Sequence, residues 1–185
     1  AVEVIVLYYN VAQLLKQGVG ASRHYAISGD LYDIDENNPG PVHVDGEVTL
    51  IRIPAGILAR ATARLDLVQS CRRCLEPTET EVDLEFEEEF IPSLDIETGA
   101  SLPITDDDEP ELVIDEHHVL DLTPVLWQHA VVSTTLPGLC RPDCRGLCPV
   151  CGTNLNVETC SCDTSRIDPR LSPLAALLRR DEGEE

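Results

Sequence analysis

Six cysteines lie inside 23 residues near the carboxyl end, in the order Cys140-x3-Cys144-x3-Cys148-x2-Cys151-x8-Cys160-x-Cys162. Thiols crowded on one short segment hold either a metal ion or a disulfide framework, and the text CPVCG at 148–152 favours metal. In that text two cysteines and a glycine make a tight knuckle whose backbone amides turn toward both sulfurs, with Gly152 supplying the freedom the turn needs. A second pair about a dozen residues away then closes a tetrahedron on zinc. Cys148 and Cys151 are the firmest pair. Cys160 and Cys162 can complete the set, with Cys144 as the strongest substitute. Cys140 and Cys144, one helical turn apart, can also act together, and six thiols exceed what one ion needs. A four-thiolate site leaves no position for water, so it is structural rather than catalytic. Residues 137–168 hold too few large apolar side chains to fold otherwise, which makes the metal that segment's core.

Charge narrows the partners. The formal net charge is −21, and no Lys or Arg stands between Arg73 and Arg141, where 18 of the 34 carboxylates lie. Such a middle repels phosphate and membrane surfaces, so any nucleic-acid contact has to come from the two ends. No run of 18 apolar residues exists, and AVEVIVLYYN at the start has neither a basic leader nor a cleavage site. The expectation is a cytoplasmic chain whose thiols stay reduced, with its first residues processed or trimmed because methionine is absent.

The clearest period-two pattern runs through 47–53 and 57–70, where Ile57, Ala59, Ala61, Ala63, Leu65 and Leu67 alternate with Arg60, Thr62, Arg64 and Asp66. It resumes beyond Cys74, with Thr80, Val82, Leu84 and Phe86 on one face and Glu79, Glu81, Asp83, Glu85 and Glu87 on the other. Residues 22–32 read as extended, 33–46 as a turn-rich loop, and 92–116, with three prolines and the run Asp106-Asp107-Asp108-Glu109, as a solvated mobile loop. A short helix or helical turn is expected at 11–20, and helices at 121–132 with Thr123 as cap and Pro124 in first position and at 168–180. The fold class is α+β: an antiparallel meander or barrel-like core over 1–136, then a cysteine-rich zinc-knuckle segment and helix over 137–185.

Three features leave alternatives open. Cys71 and Cys74 are half of a second zinc site completed by Cys140 and Cys144, a redox pair, or two small buried residues at a turn; the LEP that follows leads into a strand, which argues against a thioredoxin-type motif. Arg52, Arg60, Arg64, Arg72 and Arg73 either form a patch for RNA or an acidic partner, or pair across strands with the acidic neighbours. His117 and His118 read as exposed, and His129 as a core residue of the second helix. No GxSxG, HExxH or phosphate-cradling glycine loop is present, so no enzyme is expected.

The segments NVAQLLKQGVGASRHY, SCRRCLEP, EEEFIP, LDLTP and LPGLCRPDCRGLCPVCGTNLNVETCSC, followed by DPRLSPLAAL, occur in this order along nearly the whole chain. Together they resemble the YceD-like family, the large ribosomal RNA subunit accumulation proteins. The matching positions are Cys71, Arg73, Cys74, Leu75, Glu76 and Pro77, the distal cysteines, and Asp168-Pro169-Arg170. The resemblance implies a bacterial or organellar factor that supports production or stability of large-subunit ribosomal RNA, with no assigned enzymatic activity. Some members carry the CxxC without the distal cysteines, and others have histidines where Cys160 and Cys162 stand, which suits a ligand role for that pair. The implied partner is a precursor of the large subunit, met through ribosomal RNA, through a basic ribosomal protein, or both; no small-molecule substrate is implied.

Overall fold

The computed structural model describes residues 7–104, 109–135 and 138–163. The expected tail helix at 168–180, the first six residues, Asp106 to Asp108 and Pro137 lie outside these. The chain divides into two compact units, one of residues 1–70 and 77–138, the other of residues 71–76 and 139–185.

The first unit is built on a curled five-stranded sheet. Its strands are β2 (Ser22–Leu31), β3 (Val42–Arg52), β4 (Ile57–Ser70), β5 (Pro77–Pro92) and β6 (Val113–Ile114), hydrogen-bonded in that order. All pairs are antiparallel except the last, where Ile91 and Pro92 run parallel to Val113 and Ile114. A two-stranded ribbon pairs β1 (Tyr8–Asn10) with β7 (Val119–Asp121), and the helices are α1 (Ala12–Leu15) and α2 (Thr123–Thr134). The architecture is α+β, as the alternation predicts.

The period-two code works because a strand sends successive side chains to opposite faces. Along β4 every second residue from Ile57 to Leu67 is buried, all of them apolar, and the intervening Arg60, Thr62, Arg64 and Asp66 are exposed. Small and large residues alternate across strands: Ala61 stands opposite Phe86, and Ala63 opposite Leu84. Phe90, fully buried, anchors the far end, and Leu14, Leu15, Val125, Leu126 and Ala130 join the same cluster from the helices.

Four expectations are corrected. The loop assigned to 33–46 ends at residue 41, because Val42 and Val44 are buried and begin β3; Gly46 is a mid-strand residue. The shortened loop is organised by the buried Asn38, whose amide donates to the Val68 carbonyl (3.0 Å) and accepts from the Val68 N–H (2.8 Å), as a strand neighbour would. The segment 92–116 also carries structure: Ile114 is buried in β6, and Asp95 Oδ1 accepts bonds from the Glu97 and Thr98 amides. Helix α1 is the short helical turn expected, but Thr123 does not cap α2; Asp121 Oδ1 takes the Thr123 N–H instead, at 2.9 Å. His118 is half-buried at positive φ rather than exposed, while His129 is half-buried and stacks on Phe86 at 4.6 Å.

Candidate metal centres

All eight cysteines are free and fall into two groups of four. Cys71, Cys74, Cys140 and Cys144 form one, and Cys148, Cys151, Cys160 and Cys162 the other; within each group the sulfurs lie within 4.8 Å of one another. None of the distal thiols is left over, because Cys140 and Cys144 join the pair that follows β4 in sequence. Both groups belong to the second unit.

The two CxxC segments share one backbone design. In the first, the Leu75 N–H donates to the Cys71 carbonyl (2.9 Å) and the Cys71 N–H to the Glu76 carbonyl (2.9 Å). In the second, the Gly152 N–H donates to the Cys148 carbonyl (2.9 Å) and the Cys148 N–H to the Thr153 carbonyl (2.8 Å). Leu75 and Gly152 occupy the same place in the turn, and both have positive φ, 61° and 75°. Glycine takes that conformation without a steric cost, so the CPVCG knuckle is visible in sequence, whereas Leu75 hides its twin. Leu75 is exposed, so the cost of its left-handed backbone is not offset by burial of its side chain.

Three further contacts hold the first group together. The Leu147 N–H reaches the Arg73 carbonyl (3.2 Å), and the Arg73 guanidinium donates to the Cys144 carbonyl (2.8 Å). Asn156 donates its amide to Cys144 Sγ (3.3 Å). Gly146, at φ 74°, passes so close to Arg73 that an added Cβ would sit 3.1 Å from its carbonyl oxygen. In the second group the Thr153 hydroxyl lies 3.1 Å from Cys151 Sγ. Apolar support is thin: among the described residues, Leu139, Cys140 and Leu147 pack around Cys71, Cys74 and Cys144.

These sulfurs suit a tetrahedral ion. Metal–sulfur bonds of about 2.3 Å place neighbouring sulfurs of a tetrahedron about 3.8 Å apart. Cys71 and Cys144 are 3.8 Å apart, and Cys74 and Cys140 are 3.6 Å apart. A disulfide would require about 2.05 Å. Electrostatics agree. Amides of Cys140, Cys74 and Arg73 bonded to Cys71 hold its thiol down at about 6, and Thr153 with Cys148 does the same for Cys151, also about 6. Cys148 is lowered by the amides of Cys151 and Val150; Cys144, despite its burial, is lowered by Asn156 and the Gly146 amide. Cys140 is pushed up to about 12 by burial and by Cys144, and Cys162 to about 12 by its bond with Cys151 and by burial. Each group thus contains thiols poised to ionise beside others that their charge holds protonated. A divalent cation among them removes that conflict and lets all four ionise.

The arginines divide. Arg60 and Arg64 stand directly across from Glu87 and Asp83 in the β4–β5 register and bond them, at 2.6 and 2.9 Å. Arg52 clamps the β3–β4 turn, donating to the carbonyls of Ile53 and Gly56 and to that of Leu15. Arg72 and Arg73 lie on the first knuckle in the second unit. The structure therefore gives Arg52, Arg60 and Arg64 local partners. Glu79, Glu81, Asp83, Glu85 and Glu87 are all exposed.

The family model described as large ribosomal RNA subunit accumulation protein YceD matches residues 59–178. The chain belongs to the YceD family. That span takes in both cysteine groups of this YceD chain as well as most of β4, and β5 and α2. Among curated relatives, uncharacterized proteins of Mycobacterium tuberculosis and Mycobacterium bovis are each 30% identical over 135 residues, 73% of this chain and 62% of theirs. The chloroplastic large ribosomal RNA subunit accumulation protein YCED homolog 1 of Zea mays is 30% identical over 114 residues, 56% of this chain and 37% of the maize protein. The YceD chain thus spans about 62% of the length of its mycobacterial relatives. No solved structure matches it.

Proposed function

We propose that this protein is a non-enzymatic factor for accumulation of large-subunit ribosomal RNA, acting on precursor large-subunit particles and carrying one structural zinc in each cysteine group. The observation that carries the reading is the family match over residues 59–178. Four thiolates at tetrahedral spacing suit zinc, and eight free thiols fit the reducing cytoplasm to which we assign the protein. With four protein sulfurs per ion, neither site offers water or substrate a position, which supports a scaffold over a catalyst. Among the described residues no helix is long and apolar enough to cross a membrane.

The route to the particle runs through a basic ribosomal protein rather than through naked RNA. Phosphate neutralisation drives RNA binding, and a net charge of −21 works against it. Arg60 and Arg64 already face carboxylates, while β5 presents its own acidic row to solvent. The tagged protein from growing cells is expected to co-sediment with precursor large-subunit particles at moderate salt and to leave them at high salt. Recovery only from the top of the gradient sinks the proposal.

Zinc retention has a defined pH dependence. The Cys71 and Cys151 thiols are depressed to about 6, below the ordinary thiol range of about 8.5. Protons compete with zinc for these thiolates as pH falls. Metal analysis after dialysis is expected to show full occupancy at neutral pH and progressive loss on acidification. Occupancy that does not fall on acidification would contradict thiolate ligation.

A further inference from the structure

The first unit carries a surface that neither the cysteines nor the acidic strand accounts for. Aromatic residues make up only 4% of the chain, and both phenylalanines and Tyr9 are buried. Three of the others, Tyr8 (55% exposed), Tyr32 (52%) and Trp127 (38%), come from β1, the end of β2 and α2, and line one hollow of about 410 Å³. A second hollow of about 450 Å³ shares Tyr8, Glu111, Asp121 and Pro124 with it, so the two meet at Tyr8 as one groove. Its carboxylates are Asp30, Glu111, Asp115 and Asp121, and among the described residues no Lys or Arg lines it. The indole is held in place, its Nε1–H donating to the Tyr32 carbonyl at 3.2 Å.

We propose that this groove docks an extended, arginine-bearing segment of a basic partner protein. The guanidinium planes lie against Tyr8 and Trp127, and the carboxylates of Glu111 and Asp30 take their N–H groups. The chemistry is specific. An aromatic face attracts a cation through its quadrupole, and guanidinium is the planar, weakly hydrated cation that both stacks and forks onto carboxylates. Asp115 and Asp121 spend one oxygen each on backbone amides, of Val119 and Thr123. Asp30 is shared with His43 at 2.8 Å, so Glu111, which makes no ion pair with a described residue, is the carboxylate most available to the ligand. Phosphate is disfavoured by the four carboxylates, which sets a protein segment above RNA as the occupant. The inference rests on the ribosomal reading only for where such a partner is found.

Trp127 is the chain's single tryptophan, so its fluorescence reports this groove alone. The full chain is titrated with an end-blocked peptide of alternating arginine and glycine, with its citrulline counterpart, with spermidine and with oligouridylate. The expected result is a saturable change with the arginine peptide, at least about ten-fold weaker with citrulline, which keeps the shape and loses the charge. Tyr8→Leu and Glu111→Gln are each expected to weaken the arginine peptide about five-fold, with the far-ultraviolet spectrum unchanged. Equal response to citrulline or spermidine overturns the proposal, as does a response to oligouridylate without one to the peptide, or indifference to both substitutions. Peptide binding without co-sedimentation refutes the ribosomal reading and leaves the groove standing; co-sedimentation without peptide binding refutes the groove alone.

Discussion

Stripping zinc with a strong chelator is expected to unfold residues 71–76 and 139–163 while the five-stranded sheet keeps its protected amides. A structural zinc held by four thiolates contributes on the order of 10 kcal/mol to its segment, far more than the few apolar contacts around Cys71, Cys74 and Cys144 can replace. The backbone bonds of both knuckles close short turns and are exposed to exchange once the sulfurs are released. Hydrogen exchange should therefore show loss of protection at Leu75, Leu147, Gly152 and Leu155 on chelation, and recovery on adding zinc back. Zinc per chain should be two, falling to one in Cys74→Ser or Cys151→Ser and to none in the double variant. These two single variants separate the sites, since each removes one knuckle and leaves the other four sulfurs intact. A chain that binds one zinc, or whose knuckle amides stay protected without metal, refutes the two-centre assignment.

The two centres were unequally legible. Cys148, Cys151, Cys160 and Cys162 lie within 15 residues, and Gly152 advertises the turn, so spacing favours this set while leaving Cys144 as a substitute. For the first centre the sequence poses the pairing of Cys71 and Cys74 with Cys140 and Cys144 but does not decide it. Cys74 and Cys140 are 66 residues apart, no local periodicity links them, and the left-handed position is filled by leucine. The same difference governs the fold. β4 was readable because one strand's burial is written in its own alternation, whereas β1 and β7, three residues each, are too short to show a period and exist through each other. The aromatic groove was invisible for the reason that hides the first centre: Tyr8, Tyr32 and Trp127 are scattered along the chain, and only tertiary structure brings them together.

Replacing Gly46 with alanine is expected to destabilise the first unit by about 3 kcal/mol or more, because the turn-rich text around it conceals a mid-strand contact. On the inner face the row reads Ile27, Gly46, Ala63, Leu84 across β2 to β5, with the smallest residues at its centre. A Cβ at Gly46 would sit 2.2 Å from the Thr62 carbonyl oxygen and 2.6 Å from Ala63 Cα, both backbone atoms that no rotamer change can move aside. Relief requires β3 and β4 to separate. That would disturb the flanking pairs of Val44 with Leu65 and Val48 with Ala61, whose side chains are buried. A one-residue slip offers no escape, since it would turn every buried side chain of β3 to water. Gly40→Ala is the control: its Cβ meets nothing within 4 Å, and its effect should stay within about 0.5 kcal/mol. Urea unfolding followed by Trp127 fluorescence measures both. If Gly46→Ala unfolds at the same urea concentration as the parent chain, the close approach of β3 and β4 is wrong, and with it the register that sets Gly46 against Ala63.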